Sequence, residues 1–268
     1  MNNKSLGYSL LIFTVFGVSP LFGEPPADVL EKLHLPAPGI NPLVLFIQSS
    51  ETNEGSRSSE WIASSGSRLT ARGRDPWGDD NGAFGPASAA TAGAALASSA
   101  NSPLLTGDKG ALVVCFQVAQ IPETSAMILS RGAWGDSSLF DLRAEKGQGV
   151  VLYSGAKDPK PQTLQLGRYI PGAWMFLGLT WKKQADGIVL ETVLGQLTKD
   201  EAPQSNSFVI TQAGELSAPV LLAGRTNPDL NPALLEGGLL CCVAIYEEEL
   251  SPESLESLFQ LMAAAAKP

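Results

Sequence analysis

Short apolar or alternating segments, each closed by turn residues, dominate the chain after residue 110. Segments of this length and spacing, with no helical period between them, predict antiparallel strands in sheets that pack face to face. Two more segments of this kind occur before residue 73. The predicted strands are 42–48, 61–63, 111–119, 127–130, 139–143, 150–153, 174–181, 188–194, 208–210, 220–223 and 239–246.

Glycines mark two of the turns between these strands. Gly147-Gln148-Gly149 predicts a hairpin between strands 139–143 and 150–153. Asp186-Gly187 supplies the positive φ that a tight turn requires between strands 174–181 and 188–194. Trp174 and Trp181 have opposite parity on one strand, so at least one of them is expected in the core.

One segment carries a convincing helical pattern, and it is near the C-terminus. Ser251 is placed to cap the helix, and Pro252 fits its first position. The apolar residues of the segment follow the spacing of one helix face, so the helix is expected to dock on the sheets. These residues are Leu255, Leu258, Phe259 and Met262.

Two stretches predict no regular structure. Residues 24–41 are rich in Pro and form a lead-in to the first strand. Residues 73–101 begin with Asp, Gly and Pro and continue as an Ala/Ser run without a period that a core could use, which predicts a long surface loop.

The apolar run 6–22 follows Lys4, which is the only charged side chain before Glu24. A basic start before a short apolar stretch is typical of a secretory signal peptide. The run is short for spanning a membrane, and Gly and Pro dilute it. We therefore expect that residues 1–23 are removed and that the product is secreted or held in the periplasm or cell envelope, with no membrane-spanning segment remaining.

The formal net charge of −9 becomes −10 when Lys4 is removed with the leader. Lys182-Lys183 is the only adjacent pair of basic residues. Binding to nucleic acid phosphates requires clustered Lys and Arg, so a nucleic acid partner is excluded. The length fits one large all-β domain, and residues 42–262 are expected to form it.

The chain has three cysteines, Cys115, Cys241 and Cys242, and no CxxC motif. A zinc or redox motif is therefore unsupported. In an oxidising compartment, Cys115 could form a disulfide with either member of the pair if their strands are neighbours. The alternative is that all three are small buried apolar residues.

Several ordered elements between about residues 110 and 260 resemble the laminin-G-like pattern of the concanavalin-A-like superfamily. They are a Trp-led strand 172–181, a hairpin, a second strand ending at Leu194-Gly195, the segment 222–224, and a final strand 237–246 that runs into Leu250-Ser251. The family often has Asp-Asp where this chain has Cys241-Cys242, and Arg where it has Ala244. An ion site of that kind is therefore not supported here.

This resemblance implies an all-β fold: an antiparallel two-sheet jelly-roll sandwich with a short C-terminal helix. The superfamily includes lectins, adhesion modules and glycosidases, so the fold alone does not decide the function. Related glycosidases carry a Glu-x-Asp-x-x-Glu strand, and no Glu of this chain has Asp two positions later. The single histidine, His34, lies in the lead-in. We therefore expect no catalytic residues.

Aromatic side chains beside polar groups are the best candidates for a binding site, because sugar rings stack on aromatics while their hydroxyls form hydrogen bonds. Three predicted loops combine these groups. The ligand-binding candidates are Trp77, Trp134, Asp136, Arg225, Asn227 and Asp229. Asp75, Asp79, Asp80 and Asn81 are candidate calcium ligands, although the spacing fails the EF-hand pattern.

The sequence thus predicts an exported, non-catalytic module that binds carbohydrate or cell-surface protein, with calcium as a candidate cofactor. The alternative is a structural or assembly sandwich of the cell envelope that binds no small ligand. Polysaccharide hydrolysis is a third candidate, and the missing acidic motif argues against it.

Overall fold

The computed structural model describes most of the chain after residue 107 and several short strands before it. The described residues are 44–47, 60–62, 68–72, 81–82, 85–86, 88–90, 95–97, 108–118, 125–131, 138–147, 149–155, 161–197, 201–211, 220–222, 238–246 and 248–266. The predicted leader 1–23 and the lead-in 24–41 lie outside them, so their assignments stay predictions.

Within the described residues, seven antiparallel strands form what we call the first sheet. They are β1 (Val44–Ile47), β6 (Ser88–Ala90), β8 (Lys109–Val118), β13 (Trp174–Gln184), β14 (Gly187–Gln196), β15 (Gln204–Ile210) and β17 (Gly238–Tyr246). The order across the sheet is β1-β17-β8-β13-β14-β15, and β6 also pairs with β17. Strands distant in sequence, β8 and β17, are thus neighbours at its centre.

A second sheet contains eight described strands in the order β12-β11-β10-β9-β16-β7-β3-β2. They are β2 (Glu60–Ile62), β3 (Arg68–Arg72), β7 (Ala95–Ala97), β9 (Ser125–Arg131), β10 (Ser138–Glu145), β11 (Gly149–Gly155), β12 (Gln162–Gly167) and β16 (Val220–Leu222). Two further strands, β4 (Asn81–Gly82) and β5 (Gly85–Pro86), pair with each other.

The main hydrophobic core lies between the two sheets. On β8, Leu112, Val114 and Phe116 point into it, and on β13 the alternate residues from Met175 to Trp181 do the same. The second sheet contributes alternate apolar residues of β9 to β12. Because both sheets bury one face against the other, the chain is an all-β sandwich, as the sequence predicts.

The opposite face of the first sheet packs against a helix, α1 (Pro252–Ala265). Ser251 caps it, since its hydroxyl accepts a hydrogen bond from the backbone N–H of Ser254 at 3.2 Å. Apolar residues of α1 and of β8, β13, β14 and β17 form a second buried cluster. β8 is therefore apolar on both faces, because each face meets another layer.

Polar side chains connect the two sheets along one edge. Gln162 of β12 donates from Nε2 to the carbonyl of Val209 at 2.7 Å, and its Oε1 accepts from the backbone N–H of Thr211 at 3.0 Å. Asn206 of β15 donates to the carbonyl of Leu166 at 3.1 Å. These hydrogen bonds attach the edge strand of one sheet to the edge strand of the other.

The predicted strands all overlap observed ones, and the structure extends most of them by one to four residues. Trp174 and Trp181 are both buried, one under α1 and one between the sheets. The predicted turns carry positive-φ glycines at Gly147, Gly149 and Gly187. Among the described residues, no helix is long and apolar enough to cross a membrane.

The sequence missed two longer strands, β3 and β12, and the structure also differs from the loop expected at 73–101. Four short strands, β4 to β7, lie in that segment. Ala and Ser residues have little intrinsic strand preference, but β17 and β3 supply hydrogen-bonding partners to β6 and β7. Tertiary pairing therefore decides their conformation, which a local pattern does not report.

Candidate binding site

The outer face of the second sheet carries charged side chains where the outer face of the first carries apolar ones. On β10, Leu142 and Ala144 point into the core. The alternate positions, Asp141, Arg143 and Glu145, therefore lie on the opposite face. These three residues are only 5%, 7% and 8% exposed. Charges this buried are stable only with partners, so their contacts decide what the face can do.

Arg143 and Asp141 form a two-point ion pair. Nε of Arg143 donates to Oδ1 of Asp141 at 2.8 Å, and one terminal nitrogen donates to Oδ2 at 2.5 Å. The other terminal nitrogen lies 4.0 Å from Oε1 of Glu145. A guanidinium has the planar fork that this geometry needs, which a lysine lacks.

Tyr153 completes the group from the neighbouring strand β11, where it is the register partner of Asp141. Its hydroxyl donates to Oε1 of Glu145 at 2.8 Å. The guanidinium carbon of Arg143 lies 4.4 Å from the centre of the Tyr153 ring, within cation–π range. Asp141, Arg143, Glu145 and Tyr153 therefore form one connected network, which we call the Arg143 cluster.

The electrostatics of the cluster keep its donors protonated. Burial, followed by the hydrogen bond to Glu145 and its charge, raises the pKa of Tyr153 to about 12. Burial alone lowers the pKa of Arg143, but the hydrogen bonds and charge of Asp141, with Tyr153 and Glu145, outweigh it and raise that pKa. At neutral pH the phenol and the guanidinium are therefore both protonated and act as donors.

The surroundings of the cluster change from buried to exposed across the sheet. Met127 and Val151, the register partners of Arg143, are fully buried, and Ser130 beside Asp141 is nearly so. On the edge strand β12, Thr163 is exposed and is the register partner of Tyr153. The half-buried ring of Tyr153 thus lies between a closed interior and an accessible edge.

The outer face of the first sheet differs in kind. Leu255, Phe259 and Met262 of α1 are at most 2% exposed, and they cover Val113 and Phe176 of the sheet. An apolar face sealed by a helix offers no polar groups to a ligand. Among the described parts of the chain, the Arg143 cluster is therefore the candidate site for a polar ligand.

The predicted loop residues lie almost entirely outside the described residues, so their contacts stay predictions. The exception is Asn81, which begins β4 opposite Pro86, and β4 contacts β17 of the first sheet. The residues outside the described set are Trp77, Trp134, Asp136, Arg225, Asn227, Asp229, Asp75, Asp79 and Asp80. Among the described residues, no group of three His, Cys, Asp or Glu side chains could hold a metal ion.

The strands that precede two of these segments, β9 and β16, run in opposite directions in the second sheet. The connection 132–137, which contains Trp134 and Asp136, starts where β9 ends at Arg131, and Arg131 pairs with Phe140. This is the end of the sheet at which Asp141 lies. β16 runs antiparallel to β9, so the chain that continues toward Arg225 departs toward the other end.

The sequence reasoning missed all four residues of the Arg143 cluster. It predicted the strand 139–143 and the following hairpin, but it assigned no role to the charges on that strand. The available signal was the alternation Asp141-Leu142-Arg143-Ala144-Glu145, which places three charges on one face. Nothing in that pattern indicates that the charged face is buried, which only the folded chain reveals.

No protein-family model and no curated protein matches the chain. A sialidase of Trypanosoma rangeli has a similar structure, with a TM-score of 0.54 and 12% identity over 84% of this chain. The binding domain of botulinum neurotoxin serotype D is also similar, with a TM-score of 0.53 and 13% identity over 82% of this chain. The receptor binding domain of a mosaic serotype C/D botulinum neurotoxin has a TM-score of 0.54 and 12% identity over 82% of this chain.

The matched part of each of these structures is limited. This chain spans 33% of the sialidase and 50% of each neurotoxin domain. At such low identity the likeness concerns the arrangement of strands and not the residues of a site. The chain therefore shares a β-sandwich, jelly-roll-like fold with these proteins.

Proposed function

We propose that this chain is an exported, non-catalytic module that binds carbohydrates or cell-surface proteins. The observation that carries the proposal is the Arg143 cluster, which holds carboxylates, a guanidinium and a phenol on one face of a rigid sheet. Fixed donors and acceptors beside an aromatic ring are the groups that recognise sugar hydroxyls. The accessible approach is along β12, where Thr163 is exposed.

The structural neighbours support the same class of ligand by analogy of fold. Two of them are named as binding domains, one of these as receptor binding, and a sialidase structure contains sialic acid. Fold analogy raises the expectation for a glycan, but it does not transfer a site. The residues that carry the proposal here are therefore those of the Arg143 cluster, with Trp134 and Asp136 as the neighbouring candidates.

The contacts within the cluster favour binding over hydrolysis. Both oxygens of Asp141 accept hydrogen bonds from Arg143, and Glu145 accepts one from Tyr153. A glycosidase needs one carboxyl group as acid and a second as base or nucleophile, on either side of a sugar bond. Carboxylates already engaged with a guanidinium and a phenol serve as fixed acceptors instead.

A glycan array probed with the full chain tests the proposal, with calcium and with a chelator in parallel. We expect binding to at least one class of glycan, and loss of that signal when Trp134→Ala removes the candidate stacking ring. Tyr153→Phe removes the hydroxyl that fixes the Glu145 carboxylate, so this acceptor is no longer held in place for a ligand and we expect about tenfold weaker binding.

Lys182→Gln serves as the matched control, because Lys182 is an exposed residue of the first sheet that pairs with Glu249 at 2.6 Å. An exposed pair of this kind contributes little to stability, so this variant is expected to bind normally. Blank arrays together with no binding to cell-surface proteins contradict the proposal. Turnover of any polysaccharide contradicts its non-catalytic part. A loss of binding in chelator supports the calcium prediction at Asp75, Asp79, Asp80 and Asn81.

A further inference from the structure

The register of the two central strands of the first sheet brings two cysteines together. Cys115 of β8 and Cys242 of β17 are direct partners in the antiparallel ladder. Leu240 pairs with Phe116, the next residue along β8, so Cys241 is the extra residue of a β-bulge. The sequence leaves both members of the pair open as partners of Cys115, and the register distinguishes them.

The positions of Cys115 and Cys242 lie on the same face of the sheet. Directly opposed residues of an antiparallel pair share a face, with Cα atoms about 4.5–5.5 Å apart. A disulfide needs Cα atoms about 4.4–6.8 Å apart, so this register is compatible with a bond. The alternation on β17 agrees: Val243 belongs to the core between the sheets, and Ala244 belongs to the cluster under α1, as Cys115 does.

We propose that Cys115 and Cys242 form a cross-strand disulfide in the oxidised protein, and that Cys241 stays outside the bond. The oxidant is a small-molecule or protein disulfide. One cysteine thiolate attacks it and releases one thiol, giving a mixed disulfide, and the second thiolate then displaces the other thiol. The two protein thiols lose two protons and two electrons, and the oxidant is reduced to two thiols.

The bond belongs to a buried part of the molecule. Cys115 is fully buried, and its sulfur lies 3.9 Å from the sulfur of Met262 on α1. Rotation of the Cys115 side chain toward Cys242 exchanges this contact for the disulfide. Because α1 covers the site, oxidation is expected during folding, before the helix docks, and reductants are expected to act slowly on the folded protein.

The experiment refolds the full chain in a buffer of reduced and oxidised glutathione, so its result does not depend on where the protein is located. Thiols are then blocked with N-ethylmaleimide in denaturant, and the labels are counted by intact mass. We expect one label per chain, against three after prior reduction, since the chain has three cysteines. Fragmentation of the linked peptide is expected to assign the bond to Cys115 and Cys242.

The adjacent cysteines supply a matched pair of variants. Cys241→Ser is expected to leave no thiol to label, and Cys242→Ser is expected to leave two. Three labels on the refolded wild-type chain overturn the proposal. A fragment map that links Cys115 to Cys241 overturns it as well. So does complete loss of labelling in the Cys242→Ser variant, because Cys241 then bonds Cys115 equally well and the register does not distinguish the two cysteines.

Discussion

Arg143 holds the other three side chains of its cluster together. It bonds both oxygens of Asp141, lies near Glu145 and covers the ring of Tyr153. Removing one partner of a buried ion pair leaves an uncompensated charge, which costs more than the pair itself contributes. Asp141 is only 5% exposed, so water cannot easily replace the guanidinium.

Substituting Arg143 by Met therefore tests how far the cluster depends on this residue. We expect Arg143→Met to lower the free energy of unfolding by about 3 kcal/mol, because Asp141 stays buried without its partner. The double variant Asp141→Asn with Arg143→Met is expected to recover most of that loss. Urea denaturation measures both, and a loss below about 0.5 kcal/mol in the single variant, which is typical of surface positions, contradicts the account.

Tyr153 gives the protein a characteristic response to alkaline pH. Its pKa is raised from 10.0 to about 12, so the folded state favours the protonated phenol. Its contribution to stability is complete below about pH 10 and is lost as pH rises through about 12. We expect the stability difference between wild type and Tyr153→Phe to shrink across this window in urea titrations. A difference that stays constant from pH 9 to 12 contradicts the assignment.

At the scale of elements, α1 docks on the first sheet through a close approach to glycine. A Cβ added at Gly195 of β14 falls 2.5 Å from Cε2 of Phe259, and 3.0 Å from Cβ of Pro203. The same Phe259 ring meets Phe176 edge to face, with centroids 5.7 Å apart. The small residue on the strand thus determines how near the helix lies.

Gly195→Ala is therefore expected to destabilise the protein by about 1–3 kcal/mol, the range for overpacking a dense core. Adding Phe259→Leu is expected to relieve the clash. The double variant should therefore lose less stability than the sum of the losses in the two single variants. Thermal unfolding of the wild type, the two single variants and the double variant completes this double-mutant cycle. Strict additivity contradicts a direct contact between the two positions.

The sequence predicts an element well when the determining interactions are local. Ser251 and Pro252 define the start of α1 through a cap and a fixed φ, and both are found as expected. β12 was missed although its leucines alternate with Gln162, Thr163 and Gln165, because its flanking residues give no clear turn signal. The short strands β6 and β7 lack even that alternation, and only their partner strands specify them.

At the scale of the whole molecule, the two sites differ in how far sequence could reveal them. The hairpin predicted at Gly147–Gly149 is local, so the pairing of Tyr153 with Asp141 was within reach of the sequence, although the burial of their face was not. The pairing of Cys115 with Cys242 joins strands from distant parts of the chain. Such long-range register depends on the packing of the whole sheet and cannot be read from either segment.

The joined edge of the sandwich is a second whole-molecule feature. Gln162→Ala removes the hydrogen bonds to Val209 and Thr211, which are two of the side-chain hydrogen bonds that join this edge. We expect a loss of about 1 kcal/mol and faster amide exchange at Thr211, whose N–H loses its acceptor. Thr163→Ala on the same strand is the control, because Thr163 is exposed. Unchanged exchange at Thr211 contradicts the role given to Gln162.

The central claim is that the Arg143 cluster and the exposed edge strand β12 beside it form the binding site. Hydrogen–deuterium exchange of the full chain, with and without the glycan that gives the strongest array signal, tests it most directly. The account predicts slower exchange in β10, β11 and β12 on binding, and no change in α1 or β13. Protection confined to α1 and the first sheet contradicts the claim.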